Sequence, residues 1–115
     1  CYDVRFPELI RTMTVPGIEM MFMVSQWPDV RVPHLEVLTA ARAIENQIYL
    51  ACCNACGKAG PTQYGGHSRI IDPWGKVLVS AGSGEQIITA DCDFEVTKQI
   101  RQSMHIFTDR RPDIY

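Results

Sequence analysis

Five cysteines are the side chains of this chain best suited to act as nucleophiles. They are Cys1, Cys52, Cys53, Cys56 and Cys92. A free thiol has a pKa of about 8.5, so a nucleophilic cysteine needs a base or a cation beside it. Most cysteines are instead small buried hydrophobes. Cys1 is the strongest candidate nucleophile. A strand entering Cys1 and a helix starting at Pro7 would place its thiol where open α/β sheets bind ligands.

The remaining cysteines raise the alternative of a metal site. Cys53 and Cys56 have a spacing used by zinc ligands, and Cys92 and His67 are further candidates. No second pair with this spacing follows, and Cys52 and Cys53 would point to opposite faces of a strand. We therefore expect no bound metal.

Three other interpretations remain open. Cys1 could use its own α-amino group as the base, as N-terminal-nucleophile hydrolases do. A Cys-His hydrolase would take its base from one of three histidines, which are His34, His67 and His105. In the third interpretation the chain is a binding or subunit module and its thiol is idle.

Composition indicates a folded globular chain. Hydrophobic residues make up 46% and charged residues 21%, close to globular averages. The net charge of -2, without a basic cluster, argues against nucleic acid as a partner. The longest apolar runs, at residues 20–24 and 48–53, are much shorter than the roughly 18 residues of a membrane span. Because the start lacks a secretory signal, we expect a cytoplasmic protein that does not bind membranes.

Hydrophobic periodicity predicts three helices. Residues 7–13 and 33–46 carry apolar side chains at helical spacing. In the second helix, Arg42 and Glu45 are predicted to pair on the side away from the apolar stripe. Asp93 is the predicted N-cap of a helix that reaches about residue 104.

Five strands are predicted, at residues 18–25, 48–54, 67–71, 76–80 and 86–92. The first two are apolar on both faces and must be covered from both sides. Residues 56–66 are predicted as a glycine-rich loop, residues 72–75 as a type I turn and residues 109–113 as an irregular surface tail. This order indicates a layered α/β sandwich. Because the strands are too few for it, and the chain starts with Cys rather than Met, we expect an upstream part.

Five blocks of sequence occur in an order that indicates a family. They are CYDVRFPEL at residues 1–9, Trp27-Pro28 before Arg31 and His34, ARAIENQIY at residues 41–49, GHS at residues 66–68 with IDPWG at residues 71–75, and DRRPDIY at residues 109–115. Together they resemble the C-terminal half of a nitrilase-superfamily carbon-nitrogen hydrolase, over nearly the whole chain. The first and third blocks are more similar to the omega-amidase-like branch than to true nitrilases.

The resemblance implies a four-layer α-β-β-α sandwich. Residues 1–115 would form the C-terminal part of a single domain whose N-terminal part is absent. It also implies hydrolysis of a non-peptide carbon-nitrogen bond, without metal or organic cofactor, through a thioester on Cys1. The backbone N–H of Tyr2 would stabilise the oxyanion. The family's base glutamate and its lysine precede the cysteine, so this chain alone is expected to be inactive.

The resemblance further implies substrate-binding and supporting residues. Trp27 and Pro28 match the family's pocket wall, and the alternative for Trp27 is a core position. Gln26 departs from the asparagine common before them, but its longer amide could still bind the substrate. Asp3 and Arg5 are expected to fix the nucleophile turn through buried hydrogen bonds. The expected substrate is a small aliphatic amide or a monoamide of a dicarboxylic acid. The expected assembly is a homodimer or larger homo-oligomer, with the tail either crossing the interface or forming solvated ion pairs.

Overall fold

Three α-helices and six β-strands make up the computed structural model, which describes residues 1–115. The helices are α1 (Pro7–Thr14), α2 (Val32–Asn46) and α3 (Phe94–Ser103). The strands are β1 (Met20–Ser25), β2 (Tyr49–Asn54), β3 (Cys56–Ala59), β4 (Thr62–Gly65), β5 (Arg69–Ile71) and β6 (Val77–Ser80). Short 3₁₀ helices span Tyr2–Arg5 and Asp29–Arg31.

Four strands form one mixed sheet in the order β1-β2-β5-β6. The parallel pair β1 and β2 runs in register from Met20 beside Tyr49 to Ser25 beside Asn54. Helix α2 connects these two strands, because a parallel pair needs a crossover connection. Strands β5 and β6 are added antiparallel. The carboxyl ends of β1 and β2 therefore meet at one edge of the sheet.

Helix α2 covers one face of this sheet. The main core cluster consists of Val4, Trp27, Leu35, Ala43, Leu50, Cys52 and Ile71. On the other face of β1, Phe22 is 78% and Val24 is 77% exposed. The expected burial of residues 18–25 on both faces is therefore wrong for this chain, because no element packs over these two side chains. We name the surface formed by Phe22, Val24 and Cys53 the bare face.

The three predicted helices are confirmed, as are four of the five predicted strands, with small shifts at their ends. The Asp93 side chain accepts a hydrogen bond from the N–H of Glu95 at 3.0 Å, as an N-cap does. The predicted turn before β6 is closed by a 2.9 Å hydrogen bond from the N–H of Gly75 to the carbonyl of Asp72. None of the helices combines the length and apolar character needed to cross a bilayer.

Two element predictions are wrong. Residues 56–66 are not a loop, because β3 and β4 form a hairpin in which Ala59 lies opposite Thr62. Gly60 has a φ of 57°, the positive value that a two-residue hairpin loop requires. Residues 86–92 form no strand, since no neighbouring strand pairs with their backbone, and Ile87 is exposed.

Candidate functional site

The candidate nucleophile Cys1 precedes a short 3₁₀ turn. Its carbonyl accepts a hydrogen bond from the N–H of Val4 at 3.4 Å, and the carbonyl of Asp3 accepts one from Phe6 at 3.0 Å. Val4 is buried in the main core cluster, which fixes the turn from below. Cys1 itself is exposed. The turn thus combines an anchored backbone with an accessible cysteine.

A buried guanidinium ties this turn to α2. Nε of Arg42 donates to the carbonyl of Val4 at 2.8 Å, and Nη1 donates to Oε1 of Glu45 at 2.9 Å. The predicted pairing of Arg42 with Glu45 is confirmed, but its predicted position on the outer side is wrong, because Arg42 is 5% exposed. The buried carbonyl of Val4 needs a donor, and α2 supplies it. Helical spacing alone does not reveal that requirement.

An open cleft of about 700 Å³ lies beside Cys1, at the carboxyl ends of the parallel strands. It is lined by Cys1, Val24, Ser25, Gln26, Cys53, Asn54 and Ala55. Open α/β sheets bind ligands at the carboxyl ends of their parallel strands, so this cleft lies where a ligand site is expected. The lining contains the thiols of Cys1 and Cys53 and a free amide side chain at Gln26, but no glutamate, lysine or histidine.

Asn54 is a structural centre of the cleft that the sequence analysis missed. Its Oδ1 accepts hydrogen bonds from Oγ of Ser25 at 2.8 Å and from the N–H of Trp27 at 2.7 Å. Its Nδ2 donates to the carbonyl of Gly66 at 2.7 Å. The sequence signal that could have identified Asn54 is a polar residue at the end of an apolar strand. A buried amide at such a position must form hydrogen bonds with neighbouring segments.

The predicted pocket-wall residues separate in the structure. Gln26 lines the cleft, whereas Trp27 is 3% exposed and lies in the core, as the alternative predicts. Its Nε1 donates to the carbonyl of Arg31 at 2.6 Å. Pro28 forms an isolated bridge with Tyr64 of β4. A contact of Trp27 or Pro28 with substrate stays a prediction.

The two expected supporting residues of the turn behave differently from the expectation. The guanidinium of Arg5 lies over the ring of Trp27, 4.6 Å from its centroid, and over that of Tyr2 at 5.8 Å. Asp3 is exposed. The predicted buried hydrogen bonds are therefore wrong: Arg5 stacks on aromatic rings, and Arg42 provides the buried hydrogen bond instead.

Of the other cysteines, Cys53 is exposed and also lines the cleft, whereas Cys52, Cys56 and Cys92 do not line it. Cys52 is buried, and this burial raises the pKa of its thiol to about 11. Burial, with Asp91 beside it, also raises the pKa of Cys92. All five cysteines are free, and no group of three or more His, Cys, Asp or Glu side chains is arranged to hold a metal ion. The candidate zinc ligands are thus not brought together.

No histidine lines the cleft beside Cys1. Nδ1 of His67 lies 3.3 Å from Oε1 of Glu36, which also binds the guanidinium of Arg69. His105 lines a small separate cleft near the end of α3. The structure therefore gives no Cys-His pair.

A second cleft, of about 750 Å³, lies between α1, α2 and the C-terminal tail. Its charged side chains are of both signs and are Glu8, Arg11, Glu45, Asp109 and Arg110. It contains no cysteine or histidine, so it offers neither a thiol nor an imidazole. In the tail, Arg111 and Asp113 form an exposed ion pair at 2.6 Å.

The helices, the mixed sheet and the family's sequence blocks together define the class of protein. It is an α/β protein that carries the sequence blocks of the carbon-nitrogen hydrolases. The carbon-nitrogen hydrolase family matches residues 1–102, and the chain belongs to this family.

Comparison with known proteins agrees with this placement. The chain is 44% identical over 115 residues to a 2-oxoglutaramate amidase of Bacillus subtilis, covering 100% of this chain and 44% of that protein. It therefore spans about half the length of such relatives. The NitFhit protein of C. elegans superposes on the whole chain with a TM-score of 0.92 and 34% identity, over 28% of its own length.

A third relative is an amidase from Nesterenkonia sp., in a variant that carries an acetamide moiety added covalently to its active-site cysteine. Its TM-score is 0.78 at 29% identity, over 99% of this chain and 40% of that one. The nitrilase-type α/β fold is thus shared by proteins that include amidases.

Proposed function

We propose that this chain carries the nucleophile and one wall of the substrate cleft of an amidase. The amidase would hydrolyse a small aliphatic amide or a monoamide of a dicarboxylic acid. The observation that carries the proposal is the position of Cys1. It is exposed, on an anchored turn, beside a cleft at the carboxyl ends of two parallel strands.

The thiol of Cys1 would attack the carbonyl carbon of the amide and form a carbon-sulfur bond. The tetrahedral intermediate then breaks its carbon-nitrogen bond and releases ammonia, which takes the proton given up by the thiol. Water then attacks the resulting thioester: its hydroxyl completes the acid, the carbon-sulfur bond breaks, and a proton from the water restores the thiol. The covalent adduct on the active-site cysteine of the Nesterenkonia amidase supports a cysteine in this role.

The backbone N–H of Tyr2 is the group we assign to the oxyanion. Tyr2 is the first residue of a 3₁₀ helix, and a first-turn N–H has no acceptor within its own helix. It also belongs to the residue directly after the nucleophile. A donor at this position stabilises the negative charge that develops on the carbonyl oxygen.

The general base and a lysine would come from a segment that precedes Cys1 in the full-length protein. The cleft lining supports this assignment because it contains no glutamate, lysine or histidine side chain to take the thiol proton. The bare face supports it as well, since Phe22 and Val24 form an apolar surface suited to a second layer. The same segment would complete the four-layer sandwich.

The substrate proposal rests on the free amide of Gln26 in the cleft and on the relatives. Gln26 is the side chain of the lining that can donate hydrogen bonds to a substrate without losing other partners. The relative from Bacillus subtilis is named a 2-oxoglutaramate amidase, and 2-oxoglutaramate is a monoamide of a dicarboxylic acid. We expect a homodimer or larger homo-oligomer, which sedimentation of the full-length protein would test.

The test is ammonia release by the full-length protein from 2-oxoglutaramate and from short aliphatic amides. We expect Cys1→Ala to abolish turnover and Cys56→Ala, the matched control, to retain it. Incubation with a slowly hydrolysed amide should leave an acyl group on the peptide that contains Cys1, detectable by mass spectrometry. Turnover that survives Cys1→Ala would refute the proposal.

A complementation experiment addresses the upstream segment. The chain of residues 1–115 alone should release no ammonia, and activity should return when the upstream segment is added as a separate polypeptide. Full activity of residues 1–115 alone would show that the base lies within this chain, which contradicts the assignment.

A further inference from the structure

We infer that Asn54 is a positioning residue that holds Gln26 in the substrate cleft, an inference that rests on the proposed function. Asn54 ends β2 beside Ser25, the last residue of β1. Its Oδ1 binds the residue on each side of Gln26: Oγ of Ser25 at 2.8 Å and the N–H of Trp27 at 2.7 Å. One buried side chain thus holds Gln26 from both sides.

The Asn54 amide has no unused hydrogen-bonding capacity. Its Nδ2 donates to the carbonyls of Gly66 at 2.7 Å and Trp27 at 3.3 Å. A primary amide offers two N–H donors and an oxygen that accepts two hydrogen bonds, and Asn54 uses all of them. Such a buried, fully bonded amide has one favourable orientation, so it fixes the segments that it joins.

Backbone hydrogen bonds also connect the segments on either side of Gln26, but each bond joins only one pair of segments. The N–H of Ala55 donates to the carbonyl of Ser25 at 2.9 Å, and that of Gly65 donates to Trp27 at 3.0 Å. The carbonyls that accept these two hydrogen bonds belong to the residues directly before and directly after Gln26. The Asn54 side chain is what joins them into a single cross-link beneath the cleft.

The position of Gln26 should matter for substrate binding more than for chemistry. Gln26 lines the cleft, whereas the turn that bears Cys1 has two anchors away from the Asn54 amide, which are Val4 in the core and Arg42 of α2. Moving the Gln26 backbone therefore changes the fit of the substrate and leaves the nucleophile in place. The inference predicts a change in KM with little change in kcat.

The experiment compares Asn54→Asp with wild type in the full-length protein. Aspartate keeps the shape of asparagine but turns both donors into an acceptor that faces two carbonyl oxygens. We expect KM to rise by about tenfold or more, with kcat within about threefold of wild type. Ser25→Ala removes one of the four hydrogen bonds of the Asn54 amide, together with a 4.0 Å contact to Sγ of Cys52. Its smaller rise in KM therefore tests the inference even where Asn54→Asp does not fold.

Gln47→Glu is the matched control. Gln47 is also a buried amide, and its Nε2 donates to the carbonyl of Met104 at 2.8 Å, beside α3. The Gln47→Glu substitution should lower the melting temperature as Asn54→Asp does, while KM stays at the wild-type value. A wild-type KM in folded Asn54→Asp or Ser25→Ala overturns the inference, as does an equal rise in Gln47→Glu.

A second readout separates this inference from the proposed function. Absence of ammonia release from every amide by the wild-type protein would refute the proposed function. Alkylation of Cys1 by chloroacetamide, an amide-shaped electrophile, still reports on the cleft. Asn54→Asp should raise the half-saturating concentration of chloroacetamide, and an unchanged value would overturn the role of Asn54.

Discussion

Replacing Arg42 by methionine tests whether the turn that bears Cys1 is held in position from α2. Methionine keeps much of the apolar stem of arginine and removes the guanidinium. The carbonyl of Val4 then loses its donor at 2.8 Å, inside the core. Glu45 loses its partner at 2.9 Å, but its side chain is 34% exposed and remains hydrated.

The cost follows from these two contacts. A hydrogen bond from a charged donor to a buried acceptor contributes about 1.5–3 kcal/mol. The partly exposed ion pair adds about 0–1 kcal/mol. We therefore expect Arg42→Met to lower the free energy of unfolding by about 2–4 kcal/mol, which leaves a protein of ordinary stability folded.

Activity should fall more than stability explains. Release of the Val4 carbonyl frees the turn that carries Cys1 and the N–H of Tyr2, and displacement of a nucleophile by about 1 Å can cost a hundredfold. We expect kcat for ammonia release to fall by about tenfold to a hundredfold, with KM within about threefold. Urea unfolding and steady-state kinetics of the full-length protein measure both quantities.

Arg101→Met is the control for this experiment. Nη2 of Arg101 also donates to a backbone carbonyl, that of Ile18 at 2.6 Å, but far from the turn. The Arg101→Met protein should have a lower free energy of unfolding and the kcat of wild type. A folded Arg42→Met protein with a kcat within twofold of wild type would refute the positioning argument, as would an equal loss of kcat in Arg101→Met.

Three further predictions concern reactivity, acid stability and a turn. Iodoacetamide should label Cys1 in the native protein and leave Cys52 unmodified until unfolding, because a pKa of about 11 leaves about one Cys52 thiol in ten thousand ionised at pH 7; peptide mass mapping checks this. The pKa of Glu36 is lowered, because hydrogen bonds and charge from Arg69 and His67 outweigh the effect of burial. Its carboxylate therefore stabilises the fold above its unfolded pKa, and this contribution is lost as the pH falls toward the folded pKa. Glu36→Gln should thus show a smaller loss of stability below about pH 4.5 in acid titrations followed by circular dichroism. Gly75 has a φ of 83°, so Gly75→Ala should lower the free energy of unfolding by about 1–2 kcal/mol, measured by urea titration.

Local patterns predict the helices well because each rests on a signal carried by its own residues. Proline at the start of α1 and the Asp93 cap of α3 are examples. The hairpin of β3 and β4 was missed because its glycines resemble those of a loop, whereas only the pairing of Ala59 with Thr62 reveals two strands. The prediction of a strand at residues 86–92 is wrong for the opposite reason. A strand needs a neighbouring strand to pair with, and local apolar character cannot supply one.

The candidate site was predictable where it depends on a motif and unpredictable where it depends on long-range hydrogen bonds. Cys1 begins the first sequence block, Gln26 directly precedes the second, and both line the cleft. The roles of Asn54 and Arg42 depend on carbonyls that lie far away in the chain, at Gly66 and Val4. Those acceptors become adjacent only after the strands and α2 have assembled, so no spacing rule points to them.

The bare face has a practical consequence for handling the polypeptide. Phe22 and Val24, more than three quarters exposed, lie on β1, an edge strand whose outer backbone groups are also unpaired. An apolar surface next to an open strand edge is a template for self-association in water. Residues 1–115 should therefore remain monodisperse only at low concentration or in the presence of a polypeptide that covers this side of the sheet.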